Sequence, residues 1–138
     1  MSCLRVQWTV ILFTMAGPFL FVATNKVRDG RLADERRRAP EWARLIQERE
    51  PRLIGFHEYV SADGSEVEFV QIHPDAASFE HHMRLLADQP YGGNLDGVTS
   101  IRIYGQPTPA ILEMLERAAG PDVSVTVLSE HLGGFTRA

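Results

Sequence analysis

At 138 residues the chain has room for one domain with a sizeable core, and its 44% apolar and 23% charged content is that of an ordinary globular protein. A net charge of −4 argues against nucleic acid as the main partner. A single cysteine, Cys3, excludes an internal disulfide or a thiolate-rich metal site, and it suits a reducing, cytoplasmic setting.

Residues 1–18 read as an N-terminal extension. Their apolar run, residues 6–13, is shorter than the roughly 20 residues that cross a bilayer, so no membrane partner is expected. A secretory signal is the alternative, but no clean cleavage pattern follows the run. Met15, just ahead of the first strand, leaves open an upstream extension of the reading frame.

Residues 19–26 (FLFVATNK) form the first strand. The apolar residues are nearly continuous, so both faces need cover. Asn25 shares a face with Phe19, Phe21 and Ala23. Residues 31–50 follow as a helix, with Leu32, Trp42 and Ile46 at helical spacing and Trp42 as a core anchor. Pro40 lies inside it and predicts a kink or two helical pieces. Residues 26–52 hold nine of the fourteen Lys and Arg residues against six acids. That is the composition of a solvated helix face, and a docking patch for an acidic partner is the alternative.

Residues 53–60 and 66–73 make a hairpin around Asp63-Gly64, a turn in which glycine takes positive φ without a steric penalty. In the second of these strands Val67, Phe69, Gln71 and His73 share one face. Pro74 ends it, and Asp75 or Ser78 caps the next helix. In that helix Phe79, His82, Met83 and Leu86 form a buried stripe, with His81 about 100° away on its flank. Residues 88–99 read as a loop and 100–104 as a strand. Thr108-Pro109 starts a third helix, with Thr108 as its cap. Residues 123–128 are a last strand, and the tail ends EHLGGFTRA.

The order is β-α-β-β-α-β, with an extra C-terminal α-β. The fold class is therefore α+β: a ferredoxin-like core over residues 19–105, an α-β extension and tail over 106–138, and one domain over 19–138. The sheet is expected to be antiparallel, with helices on one face. Strands apolar on both faces then call for a homodimer through the open face of the sheet, closing a dimeric α/β barrel.

Taken singly, the histidines have plain structural readings. His82 on an apolar stripe fits a satisfied core residue, and His73 beside Pro74 fits a corner cap. As a metal site, His73, His81, His82 and Asp75 lack the His-x3-His helix spacing, so no metal is expected. No Gly-x-Ser-x-Gly or phosphate-cradling glycine motif occurs.

The element order, the hairpin, and a strand that turns through a short corner into a histidine-bearing helix together resemble the dimeric α/β-barrel superfamily, in particular its antibiotic-biosynthesis-monooxygenase-like domains. His73-Pro74-Asp75, His82-Met83 and the tail 130–137 are similar to a bacterial branch that brings no assigned activity. Haem-degrading relatives line their pocket with an Asn, a Trp and a His. Asn25 and His81 or His82 match two of these, but Gln71 or Ile72 stands where the Trp belongs, which speaks against haem breakdown.

The resemblance implies a cofactor-independent monooxygenase-like protein acting on a small aromatic or apolar molecule. His82 or His81 would be the general base and Asn25 the oxyanion donor. His73, Gln71, Tyr59, Tyr104 and His131 would contact the substrate, with no metal or protein-bound cofactor. The alternative is a non-catalytic module of the same fold that binds a small ligand or mediates dimerisation.

Overall fold

The computed structural model describes residues 17–87 and 93–137. Cys3, residues 1–16 of the expected extension, and residues 88–92 of the expected loop lie outside the described residues. Among the described residues no helix is long and apolar enough to cross a membrane.

Five strands and three helices alternate as the sequence predicts. They are β1 (Phe19–Val27), α1 (Leu32–Arg49), β2 (Gly55–Val60), β3 (Glu66–His73), α2 (Ala76–Ala87), β4 (Leu95–Tyr104), α3 (Pro109–Ala118) and β5 (Ser124–Leu128). The sheet order is β2-β3-β1-β4-β5. Its first four strands pair antiparallel in the ferredoxin-like arrangement, with β1 central between β3 and β4.

The expectation of an antiparallel sheet is corrected at its edge. β5 runs parallel to β4, so the sheet is mixed. The cause is the connection: α3 carries the chain back along the sheet before β5 begins, as parallel neighbours require.

α1 is one continuous helix through Pro40. Arg36, whose carbonyl loses its helical donor there, and Pro40 are both exposed, so water can satisfy the freed group. β4 begins at Leu95, inside the stretch read as loop. Two register shifts against β1, around Asn25, let this irregular start pair.

α3 starts as predicted: Thr108 accepts a hydrogen bond from the Ile111 backbone N–H, and Pro109 occupies the first turn, where no donor is needed. Gly64 sits at φ 75° in the hairpin turn, closed by the Asp63 carboxylate, which accepts from Ser61 and from the Ser65 backbone and hydroxyl.

The helices cover one face of the sheet. Alternation along β1 turns Phe19, Phe21, Ala23, Asn25 and Val27 towards them, and along β3 it turns Val67, Phe69, Gln71 and His73 the same way. Two apolar clusters result. One gathers Phe19, Phe21, Phe79, Ile101, Ile103 and Ile111, and the other gathers Val27, Val67, Phe69 and Leu95. The opposite face carries half-buried Leu20, Val22, Val70 and Ile72, with exposed Tyr59 at 62%.

Candidate functional site

Between the two clusters the face is hollow. A cavity of about 400 Å³ lies there, within the range that holds small-molecule ligands. Its floor is sheet: Phe21, Ala23 and Asn25 from β1, Phe69 and Gln71 from β3, Val98 and Ile101 from β4, and Phe56 from β2. Its roof is helical: Trp42 from α1, His82, Met83, Leu86 and Ala87 from α2, and Met114 and Ala118 from α3. Among the described residues, apart from the indole of Trp42, only Asn25, Gln71 and His82 bring polar groups to this lining.

His82 is fully buried on the inner face of α2, where its place in the apolar stripe puts it. Its Nδ1 lies 2.6 Å from Glu50 Oε2. Glu50, the residue that ends α1, is itself only 3% exposed. With Glu50 ionised, Nδ1 carries the proton and donates, so Nε2 keeps its lone pair. Among the described residues that Nε2 has no hydrogen-bond partner, and neither has Glu50 Oε1. A buried carboxylate that orients an imidazole and would stabilise its protonated form is the usual support of a histidine general base.

Gln71 is fixed by a chain that starts at the surface. The Ser78 backbone N–H donates to Asp75 Oδ1 at 2.9 Å, and the Ser78 hydroxyl meets His73 Nδ1 at 2.8 Å. His73 Nε2 lies 3.0 Å from Gln71 Oε1. Nε2 therefore carries the hydrogen and donates to Gln71, while Nδ1 accepts from Ser78. Burial, followed by the neighbouring His82, pushes the His73 pKa down to about 3, so the ring is neutral. Because its carbonyl oxygen is occupied, Gln71 offers the cavity its N–H groups. The His73 ring stands edge-on to His82 at 5.9 Å, and Phe56, which pairs with Gln71, lies 6.1 Å from His82. His82 and Gln71 thus belong to one end of the cavity.

Asn25 lines the same cavity from the other end. Its partner on β3 is Val67, whereas Gln71 pairs with Phe21. It is 7% exposed, and its amide makes no hydrogen bond among the described residues.

The other residues singled out from the sequence lie elsewhere. His81 is exposed and borders a surface cleft with Glu50, Arg52 and Arg84. His73 is buried behind Gln71. Tyr59 and Tyr104 stand on the open face of the sheet, paired with Glu68 and with Leu20 respectively. His131 packs against Gly17 and lines a groove with Tyr104 and Leu128. Among the described residues no group of three His, Cys, Asp or Glu side chains is placed to hold a metal ion.

Glu50 was missed by the sequence reading, and so was a second buried acid, Glu35. Both fall on the face of Trp42 and Ile46 at helical spacing, a signal that a search for apolar residues alone passes over. Glu35 accepts from Arg38 and from Asn94 Nδ2, each at 3.2 Å. Arg38 also lies over the Trp42 ring at 4.8 Å. Glu58, on β2, faces Glu35. Among the described residues its oxygens have no donor other than the Glu35 carboxyl that it faces. Burial, then the proton contact with Glu35 and that residue's charge, push its pKa up to about 8, Arg38 offsetting part of the rise.

No protein-family model matches the chain, and no curated protein does. Solved structures do. MupZ from Pseudomonas fluorescens superposes with a TM-score of 0.64 over 88% of this chain and 95% of its own, at 11% identity. A conserved protein from Methanosarcina mazei Go1 has a TM-score of 0.50 over 67% of this chain and 96% of its own, at 20% identity. Rv0793 from Mycobacterium tuberculosis has a TM-score of 0.50 over 68% and 99%, at 17% identity. The architecture they share with this chain is the ferredoxin-like fold. What is shared at these identities is the fold, and the chemistry has to be argued from this chain's own side chains.

Proposed function

We propose that the protein binds a small aromatic or apolar molecule in the cavity beneath Trp42, and that His82, backed by Glu50, removes a proton from it. The observation that carries this reading is the buried Glu50–His82 pair at 2.6 Å beside a largely apolar cavity. In such a setting a phenol that gives its proton to Nε2 leaves an anion out of contact with bulk water. Gln71 N–H stabilises the developing negative charge, and the Glu50 carboxylate stabilises the imidazolium.

The antibiotic-biosynthesis-monooxygenase-like resemblance of the sequence supplies the reaction class. An electron-rich phenolate can reduce O₂ without a bound cofactor. For a hydroquinone, two electrons and two protons pass to O₂, yielding quinone and hydrogen peroxide. For an activated ring methylene, one oxygen atom becomes the new carbonyl and the other leaves as water with the two hydrogens. A cytoplasmic homodimer joined through Leu20, Val22, Val70 and Ile72 on the open sheet face completes the proposal, since a second copy is the simplest cover for that face.

A second reading has the same cavity bind its ligand without turnover. It is favoured by the closure of His82 Nε2 from water. Oxygen consumption with a panel of hydroquinones separates the two. Wild-type turnover that falls by about 10² to 10⁴ in His82→Ala, and by less in Glu50→Gln, supports the base. Turnover unaffected by His82→Ala, in a protein that still folds, removes His82 from the chemistry. Absence of wild-type oxygen consumption, together with binding of the same compounds, supports the second reading.

A further inference from the structure

We propose that Asn25 sets the length of the molecule the cavity accepts, by holding the far end of a flat, elongated ligand whose near end lies at His82 and Gln71. The inference rests on the ligand-binding reading above and does not need turnover.

Strand register sets the spacing of the polar groups on the cavity floor. Gln71 pairs with Phe21 across β1 and β3, and Asn25 pairs with Val67. The two residues are therefore four positions apart along the floor, about 13 Å between their backbones at the rise of a strand. Both are buried, Gln71 at 5% and Asn25 at 7% exposed. Between them the floor offers Phe21, Ala23 and Phe69, with no polar group. Gln71 is oriented by His73, so its N–H groups are its free donors. Asn25 has no hydrogen-bond partner among the described residues, so its amide can donate or accept. The double register shift of β4 sits beside Asn25, and irregular pairing of this kind re-aims side chains.

A single small ring at the His82 end would leave the Asn25 amide, which is open to the cavity, without a partner on the ligand. A rigid aromatic frame with an oxygen at each end, roughly 10 Å apart, would engage both amides at hydrogen-bonding distance. Sites built to hydrogen-bond a ligand reject analogues that lack the matching group more strongly than apolar walls reject a change of size. Asn25 is thus a specificity residue, and the ligand class is a two-ended aromatic diol or its quinone counterpart.

The test is calorimetric titration with 4,4′-dihydroxybiphenyl and with 4-hydroxybiphenyl, which has the same frame and one hydroxyl fewer. Wild type is expected to bind the diol at least tenfold more tightly than the mono-ol. Asn25→Leu is expected to bind both alike, at the mono-ol affinity, with circular dichroism confirming its fold. Should Asn25→Leu fail to fold, Asn25→Ala makes the same comparison. A wild type that binds both compounds equally, or an Asn25 variant that keeps the tenfold preference, overturns the role of Asn25 and leaves the cavity reading standing. A wild type that binds neither compound overturns both.

Discussion

Two regions of one sheet face are built to different ends. Where the start of β1 meets α2 and α3, Phe79, Ile103 and Ile111 are fully buried and Phe19 is 2% exposed. Phe79 stacks on Phe21 at 4.5 Å and lies 5.5 Å from Phe19. A few positions along the same strands, Ala23 and Asn25 replace the phenylalanines on the floor, and His82 and Trp42 stand above a cavity. The alternation of the strand is unbroken between the two regions, and only the size and polarity of the inward residues change. A small residue followed by a polar one is enough to turn core into binding site, because packed interiors do not spread to fill a gap.

The sharpest way to break this comparison is to truncate one large side chain in each region. Phe79→Ala should cost about 3–5 kcal/mol, since it empties a space closed on all sides. Met83→Ala, at the cavity wall, should cost less, about 1–2 kcal/mol, because its side chain already lacks neighbours on one side. Urea unfolding measures both. Equal costs would mean that the hollow is filled or collapsed in solution.

Acidity probes the polar edge of the hollow region. Glu58 has a folded pKa of about 8 against an ordinary 4.5, so the folded state binds the extra proton between those values. Stability attributable to this group is fully present below pH 4.5 and is lost as pH rises to about 8. Discounted for partial exposure, that loss is about 2 kcal/mol. His73 acts in the opposite sense: its folded pKa of about 3 lies below the ordinary 6.5. Its unfolded form takes up a proton first, and stability is lost as pH falls from 6.5 towards 3. The two slopes oppose one another between pH 4.5 and 6.5, which places the stability maximum there. Denaturation midpoints across pH should show this dome. Glu58→Gln should flatten its alkaline side and leave its acid side in place.

A smaller effect comes from filling the hollow. Ala23→Val adds two methyl groups to the cavity floor on a strand that favours β-branched residues. A gain of up to about 1 kcal/mol is expected in thermal unfolding, together with weaker ligand binding. Loss of stability would show that the floor at Ala23 has no spare room.

Much of this fold was legible from local patterns. Alternation placed Phe19, Phe21, Ala23 and Asn25 on one face, and Val67, Phe69, Gln71 and His73 on another stretch of the same face. Asp63-Gly64 and Thr108-Pro109 marked a turn and a helix start. The start of β4 was not legible, because Asp96 and Gly97 have loop composition and the register against β1 passes over them, from Leu95 opposite Val27 to Val98 opposite Asn25.

The site was legible in part. The position of His82 in the stripe put it inside, but its partner Glu50 is 32 residues away, and no local rule joins them. The facing of Tyr59 and Tyr104 depends on strand pairing, which no local pattern around either residue encodes. Once the register is seen, both stand across the sheet from the cavity.

The position of β1 also has a consequence for how the chain is made. Among the described residues it is the first strand in sequence, and it lies at the centre of the sheet, with Leu20 paired on one side to Ile72 and on the other to Tyr104. During synthesis, at about 5–20 residues per second, its apolar residues wait seconds for either neighbour to leave the ribosome. Most of the pairing is long-range, which slows folding once the chain is complete. The strand that floors the cavity is therefore exposed to wrong partners before the fold closes, and a chaperone that binds extended apolar segments would have time to hold it.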